Sequence, residues 1–407
     1  MKPYRPMGKL YFFSDRKGDA AEQELMRRRE GVSSVKLDCR IGEYPAFIVY
    51  CDEIVQNISR LYRMCRQVEK LLNGLPEVAA KRCVRQALIE EIHQTNEMER
   101  VRSTRREIRE SMEAIENGES GARFDGMIRK YNRLMTGASV PLRSCHDMRV
   151  LYDGLVLEDV LKEDKSNAPD GVYFRSRQAG IHDEYNRTIH EGVFPESAIS
   201  ECMEHALDFL NNEEYDLFIR VAAFHYLFGY IHPFYDGNGR MMRFIGSCML
   251  AAGDVPVPMC LRMSRGIRER RRTYDTLFRE TNDRRNCGDI TGFVIWFMNM
   301  LLQTGKHISE QLQEITVRLK GYEKILNAAD WSEDRKRVLY VLVQCSVCSE
   351  YGMSRDELVQ VCGMSRTKLI SILKEIEPYC IVEKEGKKYL YRADTDRLDE
   401  FDSDLED

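Results

Sequence analysis

The sequence predicts a mainly α-helical protein that contains a short β-hairpin and ends in a small module of helices and strands. Three observations support this prediction. Hydrophobic residues make up 43% and charged residues 31% of the 407 residues, apolar side chains recur every three or four positions in several segments, and only 26 Gly and 11 Pro interrupt them. A chain of this length can form two or three domains, each with its own core. We therefore expect a main body with an appended domain.

Composition and cysteine usage indicate a cytoplasmic protein. No stretch approaches the roughly 18 uncharged apolar residues of a membrane helix, and residues 1–6 lack the apolar core of a signal peptide. The 13 Cys have no repeated spacing, which is typical of reduced thiols rather than of a disulfide framework. We expect no membrane partner.

The first 120 residues divide into a segment of unknown role and a helical region. Residues 1–50 give mixed signals, including a candidate strand at 45–50. Helical periodicity begins at Asp52, which assigns 51–120 to helices.

One helix of this region has an apolar face that ends in polar groups. The apolar positions are spaced by four and are Val84, Leu88 and Ile92. The same face continues to Thr95 or Asn96 and then to Glu99. A capping-box pattern at 104–107 starts the next helix, so the first is predicted to end near 100–103.

The segment 121–326 is predicted to be the helical body, with a β-hairpin inside it. Two β-prone runs, 171–182 and 186–190, are separated by three residues. Because a lone two-stranded ribbon is marginally stable, we expect it to lean on helices or on a bound partner.

A buried central helix is predicted to end just before His232. Its apolar seam alternates spacings of four and three and consists of Leu217, Val221, Phe224, Phe228 and Ile231. Pro233 and two glycines then break the helix, and a new helix is expected to open at about Arg240.

The C-terminal part has the pattern of a winged helix-turn-helix. Residues 331–393 contain three short helical patterns, of which the second is capped at Ser354 and the third follows a turn at 363–365, and then two strands about a glycine turn. The segment 394–407 carries eight acidic residues and one Arg, and we expect it to be a disordered tail.

The break after the central helix combines groups that suit phosphate chemistry. A glycine-bearing loop before a helix N-terminus is an anion site, because unpaired N–H groups and the positive dipole end meet there. Arg240 and Arg243 are three residues apart on the new helix and can both reach an anion. Asp236 offers the oxygen ligand that Mg²⁺ takes, and His232 can accept a proton near neutral pH. These residues together predict a nucleotide site with a metal and a base.

Residues 232–243 read His-Pro-Phe-Tyr-Asp-Gly-Asn-Gly-Arg-Met-Met-Arg. This string resembles the Fic motif, His-Pro-Phe-x-Asp/Glu-Gly-Asn-Gly-Arg-x-x-Arg, at every defined position, and the chain from about Glu99 to Trp296 is similar to Fic proteins as well. The resemblance implies a Fic helical core with a β-hairpin flap, ATP and Mg²⁺ at the site, and AMP transfer to a Ser, Thr or Tyr hydroxyl of a target protein or of the chain itself.

The resemblance also implies roles for the matching residues. His232 would be the general base, Phe234 the apolar anchor of the loop, and Asp236 the Mg²⁺ ligand. The hairpin at 177–190 would be the flap that pairs with a target segment. The remaining positions would bind the nucleotide and are Gly237, Asn238, Gly239, Arg240 and Arg243.

Many Fic proteins carry an inhibitory helix with the pattern Ser/Thr-x-x-x-Glu-Gly/Asn. Thr95-Asn-Glu-Met-Glu99 resembles this element, and Arg100 departs from it at the position where Gly or Asn is usual. The resemblance implies that Glu99 pairs with Arg243 and restrains the enzyme; the alternative is an ordinary exposed carboxylate.

The partners of the C-terminal module stay open at this stage. Residues 331–393 contain eleven Lys/Arg and nine Asp/Glu, which suits contact with DNA or with protein equally. A DNA-binding regulator with a nucleotide-sensing Fic body, and transfer of another phosphate-containing group, are the competing functions. The sequence identifies no target protein and leaves homo-oligomerisation open.

Overall fold

The structure is a computed structural model and describes residues 3–13, 19–119, 121–135, 140–182, 188–386 and 388–406. It is mainly helical, with 68% helix and small β-hairpins, and the predicted fold class is confirmed. Residues 183–187, at the tip of the predicted hairpin, lie outside the described residues.

The chain divides into two compact units. The first comprises residues 1–65 and 88–305, and the second comprises 66–87 and 306–407. The domain boundary predicted between residues 326 and 331 falls within the second unit.

The helices and strands are, in chain order, α1 Met7–Phe13, α2 Asp19–Arg29, β1 Ser34–Ile41, β2 Tyr44–Val49, α3 Asp52–Asn73, α4 Glu77–Met98, α5 Arg105–Glu116, α6 Asp125–Met135, α7 Cys145–Tyr152, α8 Glu158–Glu163, β3 Gly180–His182, β4 Thr188–Glu191, α9 Glu196–Asn211, α10 Leu217–Ile231, α11 Asn238–Ala252, α12 Val257–Cys260, α13 Met263–Arg268, α14 Arg271–Asn282, α15 Thr291–Ala328, α16 Glu333–Cys348, β5 Met353–Ser354, α17 Arg355–Cys362, α18 Arg366–Glu375, β6 Cys380–Glu385, β7 Lys388–Ala393 and α19 Thr395–Glu406. A π-helical turn, Asp153–Leu157, joins α7 to α8.

Helix α10 lies in the core of the first unit, as its apolar seam predicts. The helix is apolar on nearly all sides, and it is buried against α9 and α11. It begins at a cap formed by the Asp216 carboxylate, which accepts from the Phe218 amide at 2.9 Å, and ends at Ile231. Helix α11 begins at Asn238, two residues before the predicted start, because Gly237 at φ 77° turns the chain directly into it.

The end of α4 lies close to where the capping pattern placed it. The helix ends at Met98, Arg100 takes a left-handed φ of 61°, and Thr104 caps α5 by accepting from the Glu107 amide at 3.2 Å. The predicted end near 100–103 is two to five residues too late, since the left-handed turn at Arg100 terminates the helix.

Two small β-hairpins differ from the sequence prediction. The first, β1–β2, includes the predicted strand near 45–50 and a strand before it that was missed. In the second, β3 is much shorter than the run predicted from 171, because the amides of Val172, Tyr173 and Phe174 bond to the Glu196 carboxylate instead of to a neighbouring strand.

In the second unit, the helices and the ribbon predicted for 331–393 are present, together with the short strand β5. The three strands are antiparallel in the order β5-β7-β6. Ser354 closes a full capping box on α17, and Ser365 caps α18.

The prediction of a disordered acidic tail at 394–407 is wrong for most of its length, since residues 395–406 form α19. Leu398 is fully buried, and Phe401 stacks on Trp331 with ring centroids 4.9 Å apart. These two side chains are three residues apart, so they share one helical face that packs into the unit despite the acidic composition.

Among the described helices, none is long and apolar enough to cross a bilayer.

Candidate active site

The loop between α10 and α11 is anchored by an aromatic side chain. Phe234 is fully buried, stacks on Tyr152 at 3.7 Å between ring centroids and meets Phe174 edge to face at 5.5 Å. Tyr152 in turn donates its hydroxyl hydrogen bond to the Asp236 carbonyl at 3.1 Å. The loop therefore rests on a packed aromatic base, as the predicted anchor role of Phe234 requires.

Asn238 fixes both the conformation of the loop and the tautomer of the His232 imidazole. Its Oδ1 accepts from the Phe234 amide at 3.0 Å, and its Nδ2 donates to the Phe234 carbonyl at 2.7 Å, so the orientation of the side-chain amide is determined. The same Nδ2 lies 3.1 Å from His232 Nε2. Because Nδ2 can only donate, Nε2 must accept and carries a lone pair in this tautomer.

His232 lies at the end of α10 in a left-handed conformation, with φ 51°. This conformation costs a residue with a Cβ on the order of 1–2 kcal/mol. It turns the imidazole out of the helix line into a cavity of about 120 Å³. The cavity is lined by Met98, Glu99, Phe228, Gly229, His232, Asn238, Gly239, Met242, Arg243, Ile267, Arg271, Tyr274, Asp275 and Phe278.

Arg243 is held at this cavity by the end of α4. Its Nε donates to Thr95 Oγ1 at 2.9 Å, and its Nη2 donates to the Thr95 carbonyl at 3.2 Å and to Glu99 Oε1 at 2.7 Å. Thr95 is fully buried and Arg243 is nearly so, whereas the Glu99 side chain is 22% exposed. The structure thus joins the three residues that the resemblance links, Thr95, Glu99 and Arg243.

The Glu99 carboxylate covers the N-terminal end of α11. A Cβ built on Gly239 would overlap Glu99 Oε1, so this oxygen lies directly over the first turn of the helix. Burial alone would raise the pKa of Glu99, but the charges of Arg243 and Arg240 outweigh burial and hold the pKa below its ordinary value. A negative charge therefore occupies the place where a helix N-terminus attracts anions.

Asp236, Gly237 and Arg240 lie beside this cavity rather than among its lining residues. Asp236 Oδ1 accepts from the Gly237 amide at 2.5 Å, and Oδ2 is 3.7 Å from Arg240 Nη2. The Arg240 side chain is fully buried, and within the described residues none of its three guanidinium nitrogens has a hydrogen-bond partner. The two arginines of the motif thus differ: Arg243 has partners at Nε and Nη2, while Arg240 has donors that an anion would satisfy.

Sequence reasoning missed several residues around the site. Arg271, Tyr274 and Phe278 of α14 line the cavity, and only their helical spacing could have suggested a shared face. Arg175 was missed as well. It is fully buried and donates to the His232 carbonyl at 2.9 Å, and its loop position gave no periodic signal.

A family model described as Fic/DOC family matches residues 147–250 of the chain, a range that contains α10, the whole loop and all but the last two residues of α11. Residues 147–250 form a Fic domain. Members of this family are typically transferases that place nucleotides or other phosphate-containing groups on proteins.

Several solved structures resemble the chain that carries this Fic domain. A Fic family protein from Desulfovibrio desulfuricans is 18% identical, with a TM-score of 0.48, covering 82% of this chain and 95% of its own. A Fic domain containing signaling protein from Bacteroides thetaiotaomicron is 16% identical, with a TM-score of 0.44 and coverage of 63% and 97%. Fic-1 from C. elegans is 18% identical, with a TM-score of 0.42 and coverage of 77% and 82%.

Proposed function

We propose that the chain is a protein adenylyltransferase, which moves AMP from ATP to a Ser, Thr or Tyr hydroxyl of a protein. The observation that carries this proposal is the cavity itself. It places the lone pair of His232 Nε2, the N-terminal end of α11 and the guanidinium of Arg243 around one space. A base beside an anion-binding helix end is the arrangement that phosphoryl-group transfer needs.

The reaction follows from these positions. His232 Nε2 exchanges the hydrogen bond that it accepts from Asn238 for the proton of the acceptor hydroxyl, whose oxygen bonds to the α-phosphorus of ATP. The bond from the α-phosphorus to the oxygen shared with the β-phosphate breaks, and pyrophosphate leaves. The amides at the start of α11, together with Arg240 and Arg243, stabilise the negative charge that builds up on the phosphate oxygens.

The residues present fit Mg²⁺ bound with ATP. The Asp236 side chain is 30% exposed, its Oδ1 is fixed by the Gly237 amide, and the buried donors of Arg240 beside it call for an anion. Mg²⁺ commonly takes one or two carboxylates plus substrate phosphates, so Asp236 would hold it. When bound, the ion neutralises phosphate charge.

We further propose that Glu99 inhibits this reaction. Its carboxylate pairs with Arg243 and covers the anion-binding end of α11, so a phosphate group of ATP must displace it. The small cavity supports this proposal, because about 120 Å³ is well below the roughly 300–1,000 Å³ of typical ligand pockets.

For residues 331–393 we propose a winged helix that contacts protein rather than DNA. Arg366 lies 3.2 Å from Asp356, and Lys368 forms an ion pair with Asp334, so two of the three cations on α18 are already paired within the unit. A DNA-binding face would present such charges to phosphates.

Radiolabelled ATP tests the proposed reaction. The chain is incubated with Mg²⁺ and with ATP labelled at the α- or the γ-phosphate, with itself and a whole-cell lysate as protein acceptors. The α-label should bind to protein covalently, more strongly with Glu99→Gly and not at all with His232→Ala. Transfer of the γ-label instead would show phosphorylation, and no transfer of either label with Glu99→Gly would refute the proposal.

A further inference from the structure

The buried guanidinium of Arg175 connects the catalytic loop to both ends of the hairpin β3–β4. Its Nε donates to the His232 carbonyl at 2.9 Å, Nη1 to the Arg177 carbonyl at 2.7 Å and Nη2 to the Val193 carbonyl at 2.7 Å. Arg177 precedes β3 and Val193 follows β4. One planar, rigid group therefore joins three separate stretches of main chain.

The Arg175 guanidinium also lies at the C-terminal end of helix α10, where a positive charge is favoured. The carbonyls of Ile231 and His232 are the last of that helix, and Arg175 Nη2 also lies 3.5 Å from the Ile231 oxygen. Positive charge at a helix C-terminus is stabilised by the exposed carbonyls and by the helix dipole. Arg175 thereby stabilises the helix end from which His232 leaves in its left-handed conformation.

Main-chain hydrogen bonds reinforce this connection between the hairpin and the catalytic loop, which we call the joint. The Arg175 amide donates to the Pro233 carbonyl at 3.1 Å, and the Val193 amide donates to the Ile231 carbonyl at 3.1 Å. Each end of the hairpin is thus bonded directly to the residues on either side of His232.

Gly192 allows this close approach. A Cβ at this position would lie 2.5 Å from Arg175 Nη2, 3.0 Å from His232 Cβ and 3.1 Å from the Ile231 carbonyl oxygen. Any side chain here would push the end of β4 away from the catalytic loop, because contacts this short are not tolerated.

We propose that Arg175 is a positioning residue, which with Gly192 fixes the imidazole of His232 relative to the hairpin. The inference rests on the proposed function, in which a target segment pairs along the hairpin. The target hydroxyl would then reach His232 Nε2 in a single register, provided that the hairpin is held rigidly to the catalytic loop. A misplacement of about 1 Å between reacting groups costs on the order of 100-fold in rate. Among the described residues, the Arg175 guanidinium donates to main-chain carbonyls, and of these only that of His232 belongs to a residue that lines the cavity, so we expect ATP binding not to depend on Arg175.

The test compares protein labelling with ATP binding in the full-length Glu99→Gly chain. Into this parent we introduce one of two substitutions. Arg175→Lys keeps the positive charge but loses the forked guanidinium donors, and Gly192→Ala disturbs the joint from the side of the hairpin. Labelling of protein by α-labelled ATP should fall by about 100-fold in each variant, while the Kd for ATP stays within about twofold of the parent. The double variant should lose no more than the stronger single one, since both act on one joint.

A matched control is Arg220→Lys. Arg220 lies on α10, and like Arg175 it donates to a main-chain carbonyl. Its Nη1 bonds to the Leu210 carbonyl at 2.9 Å, away from His232. Its replacement should leave labelling unchanged. The inference is overturned if Arg175→Lys and Gly192→Ala label like the parent, or if labelling and ATP binding fall together. Should Arg175→Lys fail to fold, Gly192→Ala decides. Absence of labelling in the parent itself would instead refute the proposed function.

Discussion

Replacement of Glu99 by Gly should activate the enzyme, because it removes the carboxylate from the N-terminal end of α11. The contact to be lost is a charge-assisted hydrogen bond of 2.7 Å to Arg243 Nη2. Such a bond contributes about 1.5–3 kcal/mol, and each 1.4 kcal/mol corresponds to a factor of ten. Because the Glu99 side chain is 22% exposed, water weakens the pair, and we take the lower part of this range. The rate of protein labelling at subsaturating ATP should rise roughly 10- to 40-fold.

The assay is the initial rate of α-label incorporation at several ATP concentrations. The matched control is Glu97→Gly, two residues earlier, which removes an ion pair of 2.7 Å with Arg268 and adds the same helix-breaking residue. It should change the rate by less than about twofold, since Glu97 does not line the cavity. An equal rise in both variants would show that loosening α4, and not emptying the anion site, activates the enzyme; no rise with Glu99→Gly would refute the inhibition.

Three further predictions concern residues around the site. Arg100→Gly should stabilise the chain by about 0.5–1 kcal/mol in urea unfolding, because relief of the left-handed φ of 61° exceeds the entropy that Gly adds to the unfolded chain; a loss of stability would contradict this. Thr95→Val should destabilise by about 1–3 kcal/mol, since Arg243 Nε loses its partner in a buried place, and an unchanged unfolding midpoint would exclude that role. Burial, and then the charge of Arg243, lower the pKa of His225 to about 3 from 6.5, so the unfolded chain binds the extra proton between these values. The stability that this group contributes is therefore complete above pH 6.5 and is lost as the pH falls toward 3, by at most about 1.4 kcal/mol per pH unit. His225→Phe should flatten this slope, and an unchanged slope would assign it to other groups.

The sequence was most informative where local chemistry and the final contacts agree. The apolar seam of α10 and the Pro–Gly break after it placed His232 correctly, because no alternative packing suits a helix that is apolar on nearly all sides. Capping residues were equally reliable: Thr104 and Ser354 bond to the amides that their spacing predicts.

Tertiary contacts decided the features that the sequence did not predict. Strand β1 was missed although Val35, Leu37, Cys39 and Ile41 alternate along it and are all buried, a pattern that could have been found. The helix at 395–406 depends on packing of Leu398 and Phe401 that the acidic composition obscured.

Within the site, the two motif arginines look equivalent in sequence and differ in the structure. Arg240 lies beside Asp236, four residues away, whereas Arg243 is bonded to Thr95 and Glu99, which are 148 and 144 residues away in the chain. The role of Arg175 likewise depends on carbonyl directions, which no residue pattern encodes.

The most direct test of the proposed reaction is mass spectrometry of acceptor protein after incubation with the Glu99→Gly chain, ATP and Mg²⁺. We predict a mass increase equal to one adenylyl group (AMP less one water), located on a Ser, Thr or Tyr hydroxyl and absent when His232 is replaced by Ala. An increase equal to a single phosphate, or an AMP adduct that persists without the His232 imidazole, would contradict the account.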